Sequence, residues 1–326
     1  MEYTVTEESF ASLNSYWTDF KYDLNWETLF VLPSWLEVWW QAFGFDSQPY
    51  LRAVRQNERI IGIAPLLVNG KTASIVGSVD VCDYLDFVVT PDMENYFFNT
   101  LLDDLVQYGI TQLDLKPVRP DSTVLTHLVP LAKQRKYEVL CHETDVSVEL
   151  DLLSTWDEYL GMLAKKQRHE VKRKLRRLWE AGNVDYRCVK VNQEVGDSMN
   201  TFLKLFSLSQ KDKANFMTTK MESFFRSLAK VMSDVGLLRI GILGIDGLAT
   251  AMTMGFDYNK TMYLYNSAYN PDYSHLSVGL MSKILCIKES IQSGNNKWDF
   301  LKGGEPYKYH IGGKEIPLYA CHINLR

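Results

Sequence analysis

The sequence predicts an α/β (α+β) fold made of two similar halves, each a mixed, mostly antiparallel β-sheet flanked by α-helices. Three observations support this fold class. Short alternating or apolar runs, separated by turn residues, occur in both halves and indicate antiparallel meanders. Each meander is followed by one amphipathic helix, and each helix by a further strand. The chain of 326 residues is also longer than a single core usually supports, which favours two domains.

The first meander extends from Gly44 to Asp86. Its strand segments are YLRAVRQ, IIGIAPLLV and KTASIVG, and turns interrupt them at Asn57 and at Asn69-Gly70. The segment from Pro91 to Gly109 begins with proline, has apolar residues at helical spacing and ends on glycine, which predicts one helix. ITQLDLKPV then alternates like a strand. A second helix near Thr123 to Arg135 and a strand pair in YEVLCHETDVSVEL are predicted to follow.

The second half repeats this order. A helix at about Gly196 to Asn215 precedes the strand segments LLRIGILGI, LATAMTMGFDY and TMYLYNSAY, with turns at Asp246-Gly247 and Asn259-Lys260. A helix from Val278 to Ser293 ends at Gly294, and KWDFLKGG then occupies the place that ITQLDLKPV has in the first half.

The repeat predicts two domains, residues 1–150 and residues 151–326. The boundary falls where LSTWDEYL begins a new helix after a strand. No low-complexity linker separates the halves, so the cleft between the two domains is the expected location of a site.

Composition restricts the class of protein. Hydrophobic residues at 46% and charged residues at 23% are typical of a folded globular chain. No run of 18 or more apolar residues occurs and the N-terminus is acidic, so we expect a cytoplasmic protein without a transmembrane segment. Five cysteines without a CxxC pair indicate free thiols rather than a disulfide framework. The net charge of −5 disfavours duplex DNA as a partner.

One segment departs from this acidic balance. Lys165 to Arg177 contains eight of the 35 Lys and Arg residues and one acid, Glu170. The apolar residues of this segment lie on one helical stripe, so the cations occupy the other faces of the helix. A cationic face without interleaved acids attracts polyanions. A phosphorylated small molecule, a charged tRNA end and an anionic membrane surface would each suit it, and a simple solvated face is the alternative.

The sequence disfavours two other kinds of site, a serine-hydrolase triad and a metal site. Residues His275 to Gly279 have the form of a nucleophile elbow without its first glycine, and Asp299 and His310 follow in the order of a hydrolase triad. The residues YNPDYS separate this turn from the preceding meander strand, which disfavours a serine hydrolase. Ser277 is more simply interpreted as a helix N-cap. The histidines and cysteines lack metal-ligand spacing, and no metal site is predicted.

A resemblance to a known family arises in the second half. TMYLYNSAYNPDYSHLSVGLMSKILCIKESIQSGNNKWDFLKGGEPYKYHIGG contains a strand ending in Tyr269, a loop, a helix opened by Gly279, then Asp299-Phe300, Gly303 or Gly304, and Tyr307-Lys308. Further elements of the same family pattern are LPSWLEVWWQAFG, GIAPLLV and DYLDF in the first half of the chain. The basic helix of the second half is another. In these features the chain resembles the CelD-like acyltransferases, a branch of the GNAT (N-acetyltransferase) superfamily related to the Fem-type peptidyltransferases. The resemblance covers about three quarters of the chain.

The resemblance implies two tandem GNAT-like domains and an acyltransferase. The acyl group would come from a thioester such as acetyl-CoA or another acyl-CoA, or in Fem-type relatives from an aminoacyl-tRNA, and would pass to an amine or hydroxyl. In a GNAT site one strand splays from its neighbour so that a backbone N–H binds the thioester carbonyl, and the next loop and helix N-terminus bind the pyrophosphate. Met262 to Ala268 corresponds to that strand and His275 to Gly279 to the loop.

This loop keeps only Gly279 of the usual glycine-rich pattern. An acyl carrier protein, a charged tRNA or a lost activity are therefore open alternatives to coenzyme A. The expected acceptor is polar and anionic, such as a sugar nucleotide or an envelope-polysaccharide precursor. A Fem-like aminoacyl transferase that uses charged tRNA and a catalytically silent binding module are the rival functions, and peripheral membrane contact is a further open partner.

The resemblance and the residue types together suggest three groups of site residues, each of which could instead have a structural role. Donor binding is expected of Tyr265, Ser267, His275, Ser277, Val278 and Gly279. Thioester attack needs a base and a proton donor, and the expected catalytic residues are Asp299, Glu305, Tyr307 and Lys308, with His310 as a further candidate. Acceptor or phosphate binding is expected of Asp83, Tyr84, Asp86, Arg168, Lys172, Arg173 and Arg176.

Overall fold

The computed structural model describes residues 2–19, 21–190, 192–209 and 215–326. The chain forms two compact units: unit 1 is Met1–Val146 with Ile316–Arg326, and unit 2 is Ser147–Glu315. The domain boundary inferred from the repeat lies at residue 150 and assigns the whole C-terminal end to the second domain. In the structure, Ile316–Arg326 belongs to unit 1.

Unit 1 contains the predicted meander, helix and strand. Its strands are β1 (Tyr3–Glu7), β2 (Gln48–Gln56), β3 (Arg59–Asn69), β4 (Thr72–Ile75), β5 (Val88–Val89), β6 (Gln112–Val118), most of β7 (Glu138–Asp151) and most of β13 (Lys314–Asn324). Its helices are α1 (Phe10–Thr18), α2 (Pro33–Phe43), α3 (Glu94–Tyr108) and α4 (Val129–Gln134). The strand order is β1-β2-β3-β4-β6-β13-β7, with β5 beside β3.

In unit 1 a crossover connection that contains α3 joins the parallel strands β4 and β6. β4 and β6 pair in parallel, with Thr72 opposite Gln112, because α3 carries the chain back to the same end of the sheet. Helix α3 ends where Gly109 adopts a left-handed conformation with φ of 95°, which favours glycine. The predicted strand pair in YEVLCHETDVSVEL is wrong, because β7 is one continuous strand. Its central HETD contains no glycine or proline that would enforce a turn.

The expectation of free thiols is also wrong for two of the cysteines. Cys141 on β7 and Cys321 on β13 form a disulfide, with their Cα atoms 4.2 Å apart. These residues are separated by 180 positions in sequence, and the pairing arises from the packing of the two strands. Cys82, Cys188 and Cys286 do not take part in a disulfide.

Unit 2 repeats the same order of elements. Its strands are β8 (Val184–Val189), β9 (Leu238–Ile245), β10 (Leu248–Tyr258), β11 (Thr261–Tyr269) and β12 (Lys297–Lys302). Its helices are α5 (Trp156–Met162), α6 (Lys165–Trp179), α7 (Asn192–Ser209), α8 (Thr219–Asp234), α9 (Val278–Gln292) and α10 (Pro306–His310), and a 3₁₀ helix spans Pro271–Leu276. The strand order is β8-β9-β10-β11-β12, with the end of β7 beside β12.

Helix α6 is the basic helix, and the structure confirms its helical pattern. Val171 and Leu178 are buried in the core of unit 2 with residues of α9, while most of the cations lie on the remaining faces. The predicted helix at Gly196–Asn215 corresponds to α7, and its continuation through residues 210–214 lies outside the described residues. The sequence patterns predicted neither β8 nor α8.

No described helix combines the length and the apolar character needed to cross a bilayer.

Asp86 organises the loop between β4 and β5 in unit 1. Its carboxylate accepts hydrogen bonds from the Thr123 hydroxyl at 2.6 Å and from the backbone N–H groups of Thr123, Phe87 and Val124 at 2.8, 2.9 and 3.3 Å. It therefore caps the helical turn that leads into α4.

The cap predicts a stability effect. We expect Asp86→Ala to lower the free energy of unfolding by about 2 to 4 kcal/mol, because three backbone N–H groups and the Thr123 hydroxyl would lose their acceptor. Urea unfolding measures this difference. Asp80→Ala is the control, since Asp80 is exposed in the same loop, and should change stability by less than about 0.5 kcal/mol. Equal losses in the two variants would contradict the capping role.

Burial also predicts a pH effect. It raises the pKa of Asp86 to about 6, above the value of about 3.9 in an unfolded chain. The folded state therefore holds this proton more tightly, and the resulting stabilisation is fully present below about pH 4 and is lost as pH rises through about 6. We expect the stability of wild type relative to Asp86→Asn to fall over this range. Parallel pH profiles of the two proteins in urea unfolding would refute this prediction.

Candidate functional site

The candidate site of unit 2 lies where two neighbouring strands separate. β11 and β12 pair in parallel at three positions: Thr261 with Lys297, Met262 with Trp298 and Tyr263 with Asp299. Both strands lie within the described part of the chain, and no β11 residue after Tyr263 pairs with β12. The second half of β11 therefore borders a gap in the sheet.

A bulge in β11 accompanies this separation. Asn266 pairs with Met254 of β10 and Tyr263 with Phe256, so two β11 residues, 264 and 265, stand opposite Gly255. A Cβ atom at Gly255 would collide with the Tyr263 carbonyl oxygen, so the bulge requires glycine there. The extra residue bends β11 at the point where its pairing with β12 ends.

A second bulge lies on β12. Asp299 pairs with Glu149 of β7 and Lys302 pairs with Ser147, so three steps on β12 match two on β7. Within this bulge Leu301 has a φ of 62°, and Asp299 Oδ1 accepts the Leu301 N–H at 2.7 Å. Asp299 is fully buried. The geometry gives this predicted catalytic residue a role in holding the bulge.

The direction of the β11 amides can be read from two hydrogen bonds. The Asn270 N–H donates to Thr250 of β10 at 2.8 Å, whereas the Tyr269 N–H points the other way and donates to Ser209 Oγ at 2.8 Å. Because N–H directions alternate along a strand, the Ser267 N–H points to the same side as that of Tyr269, toward the gap. Ser209, at the end of α7, was not identified from the sequence.

The expected donor loop is a 3₁₀ helix. The Tyr273 N–H donates to Asn270 O at 3.1 Å and the Ser277 N–H to Ser274 O at 2.8 Å, so these amides are already used within the segment. His275 is exposed, with Nδ1 3.3 Å from Asp272 O. Ser277 follows this helix rather than a strand, which excludes a nucleophile elbow.

The N-terminus of α9 presents two amides. Among the described residues, the N–H groups of Val278 and Gly279 have no hydrogen-bond partner, whereas Leu280 donates back to Ser277. A Cβ atom at Gly279 would lie 3.0 Å from the Tyr269 ring, so glycine lets the helix start approach the end of β11. Two amides fit one anionic group, but the loop lacks the wider amide cradle that a pyrophosphate uses in the usual GNAT site.

Lys283 is a buried cation that the sequence analysis missed. Its side chain is only 7% exposed, and Nζ donates to Gly279 O at 2.8 Å. The same ammonium lies 5.0 Å from the centre of the Tyr307 ring, within range of a cation–π contact. The signal was present, because Lys283 interrupts the apolar run of α9.

Tyr307 on α10 completes this group. Its ring lies 6.3 Å from that of Phe300 on β12. Burial raises the pKa of the Tyr307 phenol above its ordinary value, and the nearby Glu305 charge raises it further, so the hydroxyl remains protonated near neutral pH. Within the described chain this hydroxyl has no hydrogen-bond partner. It can therefore donate a proton to a bound group.

Lys308 is fully engaged within the turn after β12. Its Nζ donates to the carbonyl oxygens of Leu301, Lys302 and Gly303 at 3.0, 2.9 and 2.8 Å, and lies 2.9 Å from Glu305. These contacts use all of its donors, so the geometry supports a positioning role for Lys308. Glu305 is exposed beside it, and His310 is exposed at the end of α10.

The remaining donor candidate on β11, Tyr265, packs into an aromatic cluster. Its ring lies 5.5 Å from the rings of both Phe225 and Phe256. Ser267 thus lies on the part of β11 that borders the gap, Lys283 contacts both Gly279 and Tyr307, and the Tyr265 ring packs against Phe225 and Phe256.

The acceptor candidates in unit 1 occupy a loop with structural contacts. Asp86 serves as the cap described above. Tyr84 is 5% exposed, its ring lies 5.2 Å from that of Phe30, and Arg119 lies 4.9 Å from the Tyr84 ring centre. Asp83 is half-buried.

The acceptor candidates on α6 divide into two pairs. Arg168 and Arg173 are half-buried: Arg168 donates to Gly161 O at 3.1 Å, and Arg173 pairs with Glu170 at 2.8 Å. Lys172 and Arg176 are exposed. Helix α6 packs against α9 and against the 3₁₀ helix, so the basic helix borders the expected donor segment within unit 2.

Comparisons with known proteins agree with this geometry. Residues 165–309 match the family model described as an acetyltransferase (GNAT) domain. A crystal structure of FemX superposes with a TM-score of 0.68 at 11% identity, covering 98% of this chain and 96% of that one. No curated protein matches the sequence significantly.

Two further solved structures share the fold. The C-terminal domain of a putative lysylphosphatidylglycerol synthetase from Agrobacterium fabrum has a TM-score of 0.60 at 12% identity, with 96% of this chain and 92% of that chain covered. A tandem GNAT protein from the clavulanic acid biosynthesis pathway has a TM-score of 0.50 at 9% identity, with 98% of each chain covered. The predicted fold class is confirmed. Residues 165–309 are thus similar to a GNAT acetyltransferase domain, and the chain shares its fold with FemX and with a tandem GNAT protein.

Proposed function

We propose that unit 2 transfers an acyl group from a thioester donor, such as an acyl-CoA, to an amine or hydroxyl of a polar, anionic acceptor. A sugar nucleotide or an envelope-polysaccharide precursor has the required chemistry. The observation that carries this proposal is the gap between β11 and β12, which begins after the third parallel pair. The gap leaves room beside backbone amides for an extended acyl donor.

The Ser267 N–H is the proposed oxyanion donor. It points to the side of β11 where β12 has left the sheet, and a carbonyl oxygen held there would receive a fixed dipole as negative charge develops. The paired amides of Val278 and Gly279 would bind an anionic group of the donor at the positive end of α9.

Tyr307 is the proposed proton donor. The acceptor nitrogen or oxygen attacks the thioester carbonyl carbon, the carbon–sulfur bond breaks, and the leaving thiolate takes the Tyr307 proton. The proton of the attacking group passes to solvent, and from solvent back to the phenolate. Lys283 restricts the Tyr307 ring, because its ammonium lies over the aromatic face and donates a hydrogen bond to Gly279 O. Asp299 and Lys308 hold the turn from which α10 begins.

The anionic acceptor is inferred from charge. Arg168 and Arg173 are half-buried on the helix that borders the donor segment, and a guanidinium can bind phosphate oxygens in pairs. Asp83 and Tyr84 of unit 1 remain proposed acceptor contacts on the strength of the family resemblance alone.

A Fem-like aminoacyl transferase is the second candidate. It is favoured by the 3₁₀ helix, whose internal hydrogen bonds consume amides that would otherwise cradle a pyrophosphate. An aminoacyl-tRNA presents an activated ester and needs no such cradle. The extended likeness of fold to FemX is consistent with this donor.

The experiment compares the two donors directly. The purified chain is incubated with acetyl-CoA or longer acyl-CoAs and UDP-amino sugars, and thiol release is followed with a chromogenic disulfide. A parallel reaction contains tRNA charged with labelled amino acid. We expect acceptor-dependent thiol release. Transfer from charged tRNA alone would favour the second candidate, and no transfer or thermal stabilisation with any donor would refute both.

The proton-donor role predicts a kinetic effect. We expect Tyr307→Phe to lower kcat by about a hundredfold, because the leaving thiolate would lose its proton source, with little change in donor KM. Tyr309→Phe is the matched control on the same helix, since its hydroxyl bonds to Glu315. Steady-state kinetics of both variants provide the comparison. A similar small change in both would remove Tyr307 from the mechanism.

A further inference from the structure

The exposed face of α6 forms a continuous basic stripe. We define this basic stripe as Lys165, Lys172 and Arg176, which lie on one face of the helix at intervals of seven and four residues and are all exposed. His169 occupies the same face between the first two, and Trp179 ends it, 47% exposed. Helix α6 has 15 residues and is therefore about 22 Å long.

The charge of the basic stripe is not neutralised locally. Among the described residues, none of the three basic side chains forms a salt bridge or a hydrogen bond. The acid within the helix, Glu170, pairs with Arg173 on another face. Adjacent cations on one helix face repel each other, so an anionic partner lowers the free energy of this surface.

Apolar side chains stand at both ends of the basic stripe. Met162 precedes α6 and is 43% exposed, and Trp179 ends the helix. The apolar face of α6 is already used, because Val171 and Leu178 are buried in the core of unit 2. The helix therefore cannot insert its apolar face into a bilayer, but it can lie on one with Trp179 in the interfacial layer.

We propose that the basic stripe binds the surface of an anionic lipid bilayer. A flat anionic surface can contact all three cations of a convex helix at once. Single-stranded nucleic acid is more often held in a groove with aromatic side chains interleaved among the cations, whereas Trp179 stands at the end of the stripe. Membrane binding is independent of the acyl transfer proposed above. If both hold, the enzyme would reach acceptors that are carried on a membrane.

The test uses vesicle sedimentation with the full chain. We expect binding to vesicles of phosphatidylcholine with about one third phosphatidylglycerol and not to phosphatidylcholine alone, with binding lost at high salt. Each basic residue near an anionic surface strengthens binding about fivefold, so Lys165→Gln/Lys172→Gln/Arg176→Gln should weaken binding by well over tenfold. Trp179→Ala should weaken it severalfold without changing the net charge.

The control removes the same charge elsewhere. Lys133→Gln/Lys204→Gln/Lys230→Gln neutralises three exposed lysines on α4, α7 and α8, and it should bind the anionic vesicles nearly as wild type does. Thermal melting checks that both triple variants remain folded. Equal weakening of the two variants, equal binding to neutral vesicles, or binding of tRNA but not of vesicles would each overturn the proposal. The assay needs no turnover, so its outcome is separate from that of the proposed reaction.

Discussion

The constraint on which the site of unit 2 depends is that a sheet opened between two strands exposes backbone groups that must find other partners. Pairing of β11 with β12 ends after Tyr263, so the later backbone groups on the facing edges do not bond to the opposite strand. A buried peptide group without a partner costs on the order of 1 to 3 kcal/mol. Side-chain partners for these groups lower the free-energy cost of the gap.

Ser209 does so on β11, and two other side chains satisfy backbone groups of β12 and of the turn after it. Ser209 accepts the Tyr269 N–H, Asp299 accepts the Leu301 N–H, and the Lys308 ammonium serves three successive carbonyl oxygens. Asp299 and Lys308, which resemble catalytic groups by type, thus hold the end of β12 and the turn after it. The Tyr307 hydroxyl, by contrast, is not used in this way, and this difference makes it the stronger candidate for contact with substrate.

The sequence predicts the order of the secondary-structure elements better than it predicts the contacts of the site residues. The order of meander, helix and strand follows from local sequence patterns, which are alternation, helical spacing and glycines such as Gly109 and Gly294. The bounds of β11 and α9 were predicted closely from these patterns. The role of Ser209 depends on its meeting Tyr269 across 60 residues, and the disulfide depends on strand packing across 180. No local pattern encodes either contact. Lys283 was visible as a cation in an apolar run, but its partners were not.

The duplication also explains why one copy, rather than both, is suited to hold an anionic donor. In unit 1, α3 follows a meander and leads to a parallel strand, as α9 does in unit 2. However, the first turn of α3 contains Glu94, whose negative charge already complements the helix dipole and repels a second anion. The first turn of α9 contains no acid, and two of its amides are unpaired among the described residues. The two copies therefore differ in the charge of this helical turn, and the difference favours α9 over α3 as the site of the proposed anionic donor.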